Sequence, residues 1–368
     1  MPRVAALALA VALAAASAGC SGVSEKTPVR YIPVSFADLP DWPGADPRPA
    51  LEAFRKSCSA ANAAGAHAHS TSLSGAPLPV DAATLLTAWK AVCTAAAFAE
   101  TPDASSARVF FERHFTPHRV LGPDGPQGLF TGYYEPVLRA ARRKRDGYSV
   151  PIHAKPAETK DGVILANRAE IETSAPANWP VLFWAADPVD VFTLHVQGSG
   201  RLELAEGGYA RVGYAGNNGH GYVAIGRLMR ERGLLPADGV NMPAIQAWLR
   251  ANPDAGRALM QENPRYIFFR EVPDREGTRG QQGVPLTEMA SLAVDPAFIP
   301  MGLPLWLVTN WPAEKEKPLR ELVVAQDTGA AIKGSVRGDI FFGSGRLAPH
   351  YAGHMAERGS YYLLLPRR

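Results

Sequence analysis

Short runs of β-forming residues, each closed by glycine or proline, occupy two stretches of this chain that lie far apart in sequence. The first is 128–139, GLFTGYYEPVLR. The second runs from Val284 to the C-terminus in pieces at 286–294, 304–309, 319–325, 339–342 and 361–365. Runs this short, with glycine turns and almost no helix between them, predict a small barrel or sandwich. Between the two stretches the texture changes. Residues 187–196 (DPVDVFTLHV) and 209–214 read as strands, while 221–233 reads as a helix with Tyr222, Ile225 and Met229 on one face and Gly233 as its cap, and Pro243 opens another helix. The expected fold is therefore mainly β with α: a β domain drawn from 48–136 plus 276–368, and an inserted β-rich α+β unit at 137–275. The cleft between two such units is a natural binding place.

A helical lead-in precedes the first β stretch. Leu51, Phe54, Cys58 and Ala61 fall on one helix face, and Leu86, Trp89, Cys93 and Ala96 repeat that spacing after Asp81, a fitting N-cap. Ala107, Phe110, Phe111 and Phe115 mark a third helix. Both cysteines thus face buried sides, which leaves two readings: a Cys58–Cys93 disulfide, or two free core thiols. The N-terminus is an address. After Arg3, residues 4–18 form an apolar run of signal-peptide length, too short to span a bilayer. It ends in two competing processing sites, an A-x-A site after Ala18 and a lipobox-like Ala-Gly-Cys that would leave Cys20 acylated. The expectation is a lipoprotein signal peptide at 1–19 and a tether at 20–47, with a soluble periplasmic protein as the alternative.

Exclusions follow from charge and motifs. A net charge of +3, with basic residues spread out apart from a solvated cluster between Arg139 and Arg145, gives no nucleic-acid footprint. No G-x-S-x-G, P-loop, H-E-x-x-H or C-x-x-C motif occurs, so serine hydrolase, NTPase and zinc peptidase readings lack their anchors, and no cofactor is expected. His350 and His354 have ligand spacing without a third ligand, and Pro117 interrupts His114 and His118; no metal site is assigned.

The chemistry gathers in 323–346, VVAQDTGAAIKGSVRGDIFFGSGR. A strand delivers Asp327 into a glycine turn, Lys333 follows, and Asp339 opens the next β run; Asp295 sits in SLAVDPAFIP before another strand. Acids at strand ends beside glycine turns are placed to project into a cleft, although Asp327 and Asp295 also suit simple turn capping. Glu135, beside Pro136, fits a structural role better than that of a second acid.

These segments together resemble the membrane-bound lytic murein transglycosylase A family. The resemblance rests on FFERHF at 110–115, TGYYEP at 131–136, DPVDVF at 187–192, VQGSGRL at 196–202, GYAGNNGHGYVAIGR at 213–227, NPRYIFFRE at 263–271, VPLTEMASLAVDPAFIPMGLPLWL at 284–307 and AQDTGAAIKGSVRGDIFFGSG at 325–345. It implies a six-stranded double-psi β-barrel carrying an inserted domain, with a glycan groove between them. It also implies peptidoglycan lytic exotransglycosylase activity. The β-1,4 bond between N-acetylmuramic acid and N-acetylglucosamine would be cleaved without water, leaving a 1,6-anhydro end. The residues alone leave exo and endo action open. By the same resemblance Asp339 is the catalytic acid, and Asp327 and Asp295 are supporting. Three departures stand out: Ala330 where the family usually has glycine, Gly221 where proline often stands, and Ala290 where arginine is common.

One carboxyl suffices for such a reaction. Neutral Asp339 would protonate the glycosidic oxygen and then, as carboxylate, take the proton of the sugar's own C6 hydroxyl as it closes on C1. That demands a raised pKa, so Lys333 is expected to bind substrate or pair with another acid. Thr131, Tyr133 and Tyr134 on one wall, with Gln197 and Ser199 on the other, suit sugar binding; Tyr134 suits core packing equally well. The expected partners are peptidoglycan strands and, through the lipid, the periplasmic face of the outer membrane, where Ser21 after Cys20 would direct it; cell-wall synthesis or division proteins are further candidates. Two rivals are an aspartic-type protease, which would need a second Asp-Thr-Gly, and a catalytically idle wall binder.

Overall fold

The computed structural model describes residues 28–64, 78–157, 163–236, 238–273, 277–312 and 314–367. The signal peptide, Cys20 and the first part of the tether lie outside the described residues. From Val29 onward the tether is folded: β1 (Arg30–Pro33) pairs antiparallel with a later strand, and Tyr31, Leu39 and Trp42 are buried. A four-residue strand followed by 3-10 turns has no period to read, so its anchors are single aromatic side chains, such as Trp42, whose indole N–H donates to Glu112 at 2.7 Å.

Three helices follow: α1 (Arg48–Ala64), α2 (Ala82–Phe98), which Asp81 caps by accepting the Thr84 N–H, and α3 (Ala104–His114), which Asp103 caps through the Ser106 N–H. A disulfide joins Cys58 of α1 to Cys93 of α2, their Cα atoms 5.5 Å apart. The chain then runs through β2 (Phe115–Leu121) and β3 (Gly128–Tyr133) into the insert.

The insert comprises β4 (Val137–Ala141), β5 (Val150–His153), α4 (Arg168–Ser174), β6 (Val181–Ala185), α5 (Pro188–Gln197), β7 (Ser199–Leu204), β8 (Tyr209–Asn217), α6 (Ile225–Glu231), α7 (Met242–Ala251), α8 (Pro253–Gln261) and β9 (Ile267–Val272). Its strands form one sheet in the order β5-β6-β4-β7-β8-β9. The expected strand at 187–196 is instead helix α5. The apolar run DPVDVFTLHV looks strand-like, but its ends are helical punctuation: Asp187 accepts the Val189 N–H, Pro188 stands in the first turn, and Gly198 closes the helix at φ 80°. Helix α6 begins at Ile225, so Tyr222 lies in the loop before it.

The chain returns with β10 (Ser291–Val294), β11 (Pro304–Trp311), β12 (Glu314–Asp327), β13 (Arg337–Phe341), α9 (Ala348–His354) and β14 (Ala356–Pro366). Among the described residues, β3, β14, β11, β12, β10 and β13 close into a six-stranded ring, because β14 pairs with β3 as well as with β11. The β10–β12 and β3–β13 pairs are parallel and the other ring pairs antiparallel. Phe130, Leu292, Val294 and Ile340 belong to the large core cluster that fills the ring and extends under α1 and α2. Residues that alternate with them face outward.

Candidate active site

Strand register places four residues in one line on the outer wall of the ring. Thr131 of β3 lies opposite Asp339 of β13, Asp339 opposite Ala293 of β10, and Ala293 opposite Asp327 of β12. Directly opposed residues in a sheet point to the same face. The two carboxyls therefore flank the small Ala293 side chain, two strand spacings apart, or about 10 Å between their Cα atoms. Gly338 permits this line: a Cβ there would come within 3.0 Å of Phe130 and Leu292.

The two acids live in different surroundings. Thr131 Oγ1 donates to Asp339 Oδ1 at 2.5 Å, and Arg337 Nη2 donates to the same Oγ1 at 2.7 Å. Burial raises the Asp339 pKa, while the nearby Arg337 charge and the Thr131 hydrogen bond act against it. Asp327 Oδ1 accepts the N–H groups of Gln281, at 2.8 Å, and Thr328, at 2.9 Å. Burial nevertheless pushes its pKa up to about 6, and the charge of Asp339 adds to the rise. Tyr133 packs against Phe341 with its hydroxyl against Asp327, outside strict hydrogen-bond geometry, and burial holds that hydroxyl neutral. Both acids keep part of their surface open.

Asp295 does not join the line. Its Oδ2 accepts the Gly334 N–H at 2.8 Å and its Oδ1 lies 3.9 Å from Lys333 Nζ, so it clamps the 327–334 turn from behind. Lys333 thus pairs with another acid, as its charge required, and its side chain is 65% exposed. Three expected sugar-wall residues sit elsewhere. Tyr134 is buried in the main core cluster, its N–H donating to Gln197 Oε1 at 3.0 Å; Ser199 is buried where β7 pairs with Gly213 of β8. Of the proposed wall, Thr131 and Tyr133 reach the line of acids.

Sequence reasoning passed over Arg337, although it lies two residues before Asp339 and so on the same strand face. It set Tyr222 on a helix face and gave it no part in the site, although this loop residue of the insert has a hydroxyl pKa raised by burial and by the charge of Asp339, and it passed over Gln326. Gln326 is fully buried: Nε2 donates to Ala53 O and Ser57 Oγ, both at 2.8 Å, and Oε1 accepts from Ser291 Oγ at 2.6 Å. Glu135 is structural, forming a buried pair with Arg211 of β8 at 2.7 Å. An open hollow of about 600 Å³ near α2 and α3, lined by residues such as Phe98, Val109 and Arg113, includes none of these groups.

The MltA specific insert domain matches residues 129–270 and the 3D domain matches residues 290–365. A membrane-bound lytic murein transglycosylase from Agrobacterium tumefaciens is similar in structure at 31% identity and TM-score 0.79, over 93% of this chain and 98% of its own. The chain belongs to the membrane-bound lytic murein transglycosylase A family. A second structure, the lytic transglycosylase LtgG of Burkholderia pseudomallei, is 38% identical over 93% of this chain and 98% of that one, with TM-score 0.61. In sequence, the membrane-bound lytic murein transglycosylase A of Escherichia coli K12 is 35% identical over 64% of this chain, which spans 65% of that relative's length.

Within this family's pattern, Ala330 costs the turn nothing. Among described residues other than glycine only Asp41 and Met289 have positive φ, and in the 327–334 turn the left-handed residue is Gly334, at φ 114°. Gly221 is exposed with open space where a Cβ would stand, and Ala290 is buried in the main core.

Proposed function

We propose that this protein is a lytic transglycosylase that cleaves the β-1,4 bond between N-acetylmuramic acid and N-acetylglucosamine in peptidoglycan, with Asp339 as the acid and then the base. The observation that carries this reading is the line of Thr131, Asp339, Ala293 and Asp327 on the outer wall of the ring, near enough to the insert's Tyr222 for the Asp339 charge to act on it, with Asp339 held toward its neutral form by burial. A neutral carboxyl can protonate the glycosidic oxygen as the bond breaks. The resulting carboxylate then accepts the C6 hydroxyl proton while that oxygen bonds to C1. The nucleophile is already part of the sugar, so no second carboxylate must activate water, as a hydrolytic glycosidase requires.

Asp327, pushed up to about 6 by burial and by the charge of Asp339, is a second acid on the same face. Lys333 leaves the site's charge balance undisturbed, turned as it is toward Asp295. A glycan strand is the fitting substrate; an Escherichia coli relative, 26% identical with TM-score 0.70, was solved with bound chitohexaose. Relatives named membrane-bound support attachment to a membrane, which here would run through lipid on Cys20. Among the described residues no helix is long and apolar enough to cross a bilayer.

The test is digestion of murein sacculi by the purified protein, with products read by mass spectrometry. Anhydro-muropeptides from the wild type and none from Asp339→Asn are expected. Reducing-end sugars would make the protein a hydrolase, and bound but uncut sacculi would make it a binder.

A further inference from the structure

A hydroxyl group carries one proton, and the partners of Thr131 fix where that proton goes. Arg337 Nη2 lies 2.7 Å from Thr131 Oγ1, and a guanidinium has only donors, so Oγ1 must accept there. The single Thr131 proton is therefore free for Asp339 Oδ1, at 2.5 Å. The guanidinium is itself held, with Nη1 donating to Gly338 O and to Leu129 O, the latter at 3.3 Å. With Arg337 on one lone pair of Oγ1, Asp339 Oδ1 is the acceptor at hydrogen-bond distance to which the Thr131 proton goes, and donation the other way would have to turn that proton from its acceptor.

We propose that Arg337, acting through Thr131, keeps Oδ1 of Asp339 a permanent acceptor and so makes Oδ2 the oxygen that carries the proton to the glycosidic bond and later takes one from the C6 hydroxyl. This rests on the reading of Asp339 as acid and base. A proton on Oδ1 would deprive the Thr131 proton of its acceptor, so the neutral acid keeps its proton on Oδ2, where Thr131 can still donate to Oδ1. Arg337 and Thr131 are positioning residues in this scheme, acting on the substrate only through Asp339.

The other groups facing Asp339 leave this assignment intact. Its β10 neighbour is Ala293, without charge. Tyr133 on β3 and Tyr222 on the insert loop have hydroxyls raised by burial and stay neutral. Asp327 on β12 is the one other acid coupled to it, and it titrates near 6. Arg337 and Thr131 both favour the ionised form of Asp339. Removing either must therefore favour the neutral form, which the first step uses, and must move the alkaline limb of the rate profile upward.

The experiment follows release of anhydro-muropeptides against pH for the wild type, Thr131→Val, Thr131→Ser, Arg337→Met and Asp339→Asn. Thr131→Val, which keeps the shape and loses the hydroxyl, should shift the alkaline limb of kcat/KM up by about one pH unit. It should also lower kcat about twofold at unchanged KM, because the proton can then sit on either of two oxygens. Thr131→Ser should restore the wild-type limb, and Arg337→Met should shift it like Thr131→Val. A limb that stays in place or moves down in Thr131→Val overturns the proposal, as does a Thr131→Ser profile matching that of Thr131→Val. If Arg337→Met does not fold, the Val and Ser pair decides alone. Wild-type turnover by Asp339→Asn would instead remove the underlying reading of Asp339, a separate result from an unshifted limb in a protein that Asp339→Asn inactivates.

Discussion

Asp327 and Asp339 flank the same alanine, yet their neighbours treat them differently: among the described residues Asp327 receives two backbone N–H groups and no cation, whereas Asp339 receives one hydroxyl backed by an arginine. For Asp327 burial still wins, leaving it near 6 against an ordinary 3.8. An acid with a folded pKa above its unfolded one favours the folded state while protonated. Its stability contribution is whole below about 4 and is lost as pH rises to about 6. Asp327→Asn, whose amide oxygen can accept the same two N–H groups, should therefore match the wild type in thermal stability near pH 4 and exceed it by about 1–3 kcal/mol above pH 6. Melting curves across that window check this; equal pH dependence in both proteins would refute it. The acids stood out in the sequence because each sits at a strand end beside a glycine turn, a place that suits turn capping as well as a cleft, and because their segments carry the family resemblance. Arg337 did not, because its meaning depends on the Thr131 hydroxyl brought from another strand. Tyr134 was open between wall and core, and Ser199 was placed on the wall, for a related reason: one residue of register decides which face of a strand a side chain takes.

Helices α1 and α2 could be read directly, since apolar spacing and, for α2, an aspartate cap are local signals. Their function in the fold was not legible. Helix α1 lies against β12, and its Ser57 and Ala53 saturate the buried amide of Gln326, the residue before Asp327. Ser57 also donates to Gln282, beside the Gln281 N–H that binds Asp327. The disulfide thus anchors an element that supports one of the acids from behind. Its two cysteines are 35 residues apart, a closure that stabilises by about 3–4 kcal/mol through the entropy of the unfolded chain. Replacing both by serine should lower the free energy of urea unfolding by that order, and reductant should do the same to the wild type while leaving the variant unchanged. An unaltered midpoint in the double variant would contradict it. Elements were misread where local signals conflicted. The valines of α5 suggested a strand and hid the caps at Asp187 and Gly198. The four residues of β1 are too few to show any period.

At the scale of the whole molecule, the insertion pattern was legible because β-rich stretches on both sides of a mixed segment can share a sheet only if that segment leaves and returns. How the two units are held was not. The outgoing crossing is pinned at three successive residues: Tyr134 N–H to Gln197, the Glu135 carboxylate to Arg211, and Pro136 O from the Arg201 N–H. Glu135 also donates its N–H to Gly343 O, just beyond β13, so one residue touches the insert through its side chain and the barrel through its backbone. With exposures of 2% and 7%, Glu135 and Arg211 are both removed from water. Deleting one charge strands the other, at a cost of about 3–5 kcal/mol, whereas replacing both by apolar residues of similar volume can be nearly neutral. Glu135→Gln should therefore destabilise the protein by that amount, and the double variant Glu135→Leu with Arg211→Leu should recover most of it in chemical unfolding. The units must also stay aligned for the insert's Tyr222 to stay near Asp339. The double variant should therefore regain stability without regaining full lytic activity on sacculi, because a greasy contact lacks the directed two-oxygen fork that fixes the angle of the crossing. Recovery of both stability and activity would reduce the pair to simple filling, and a stable, active Glu135→Gln would remove it from the junction altogether.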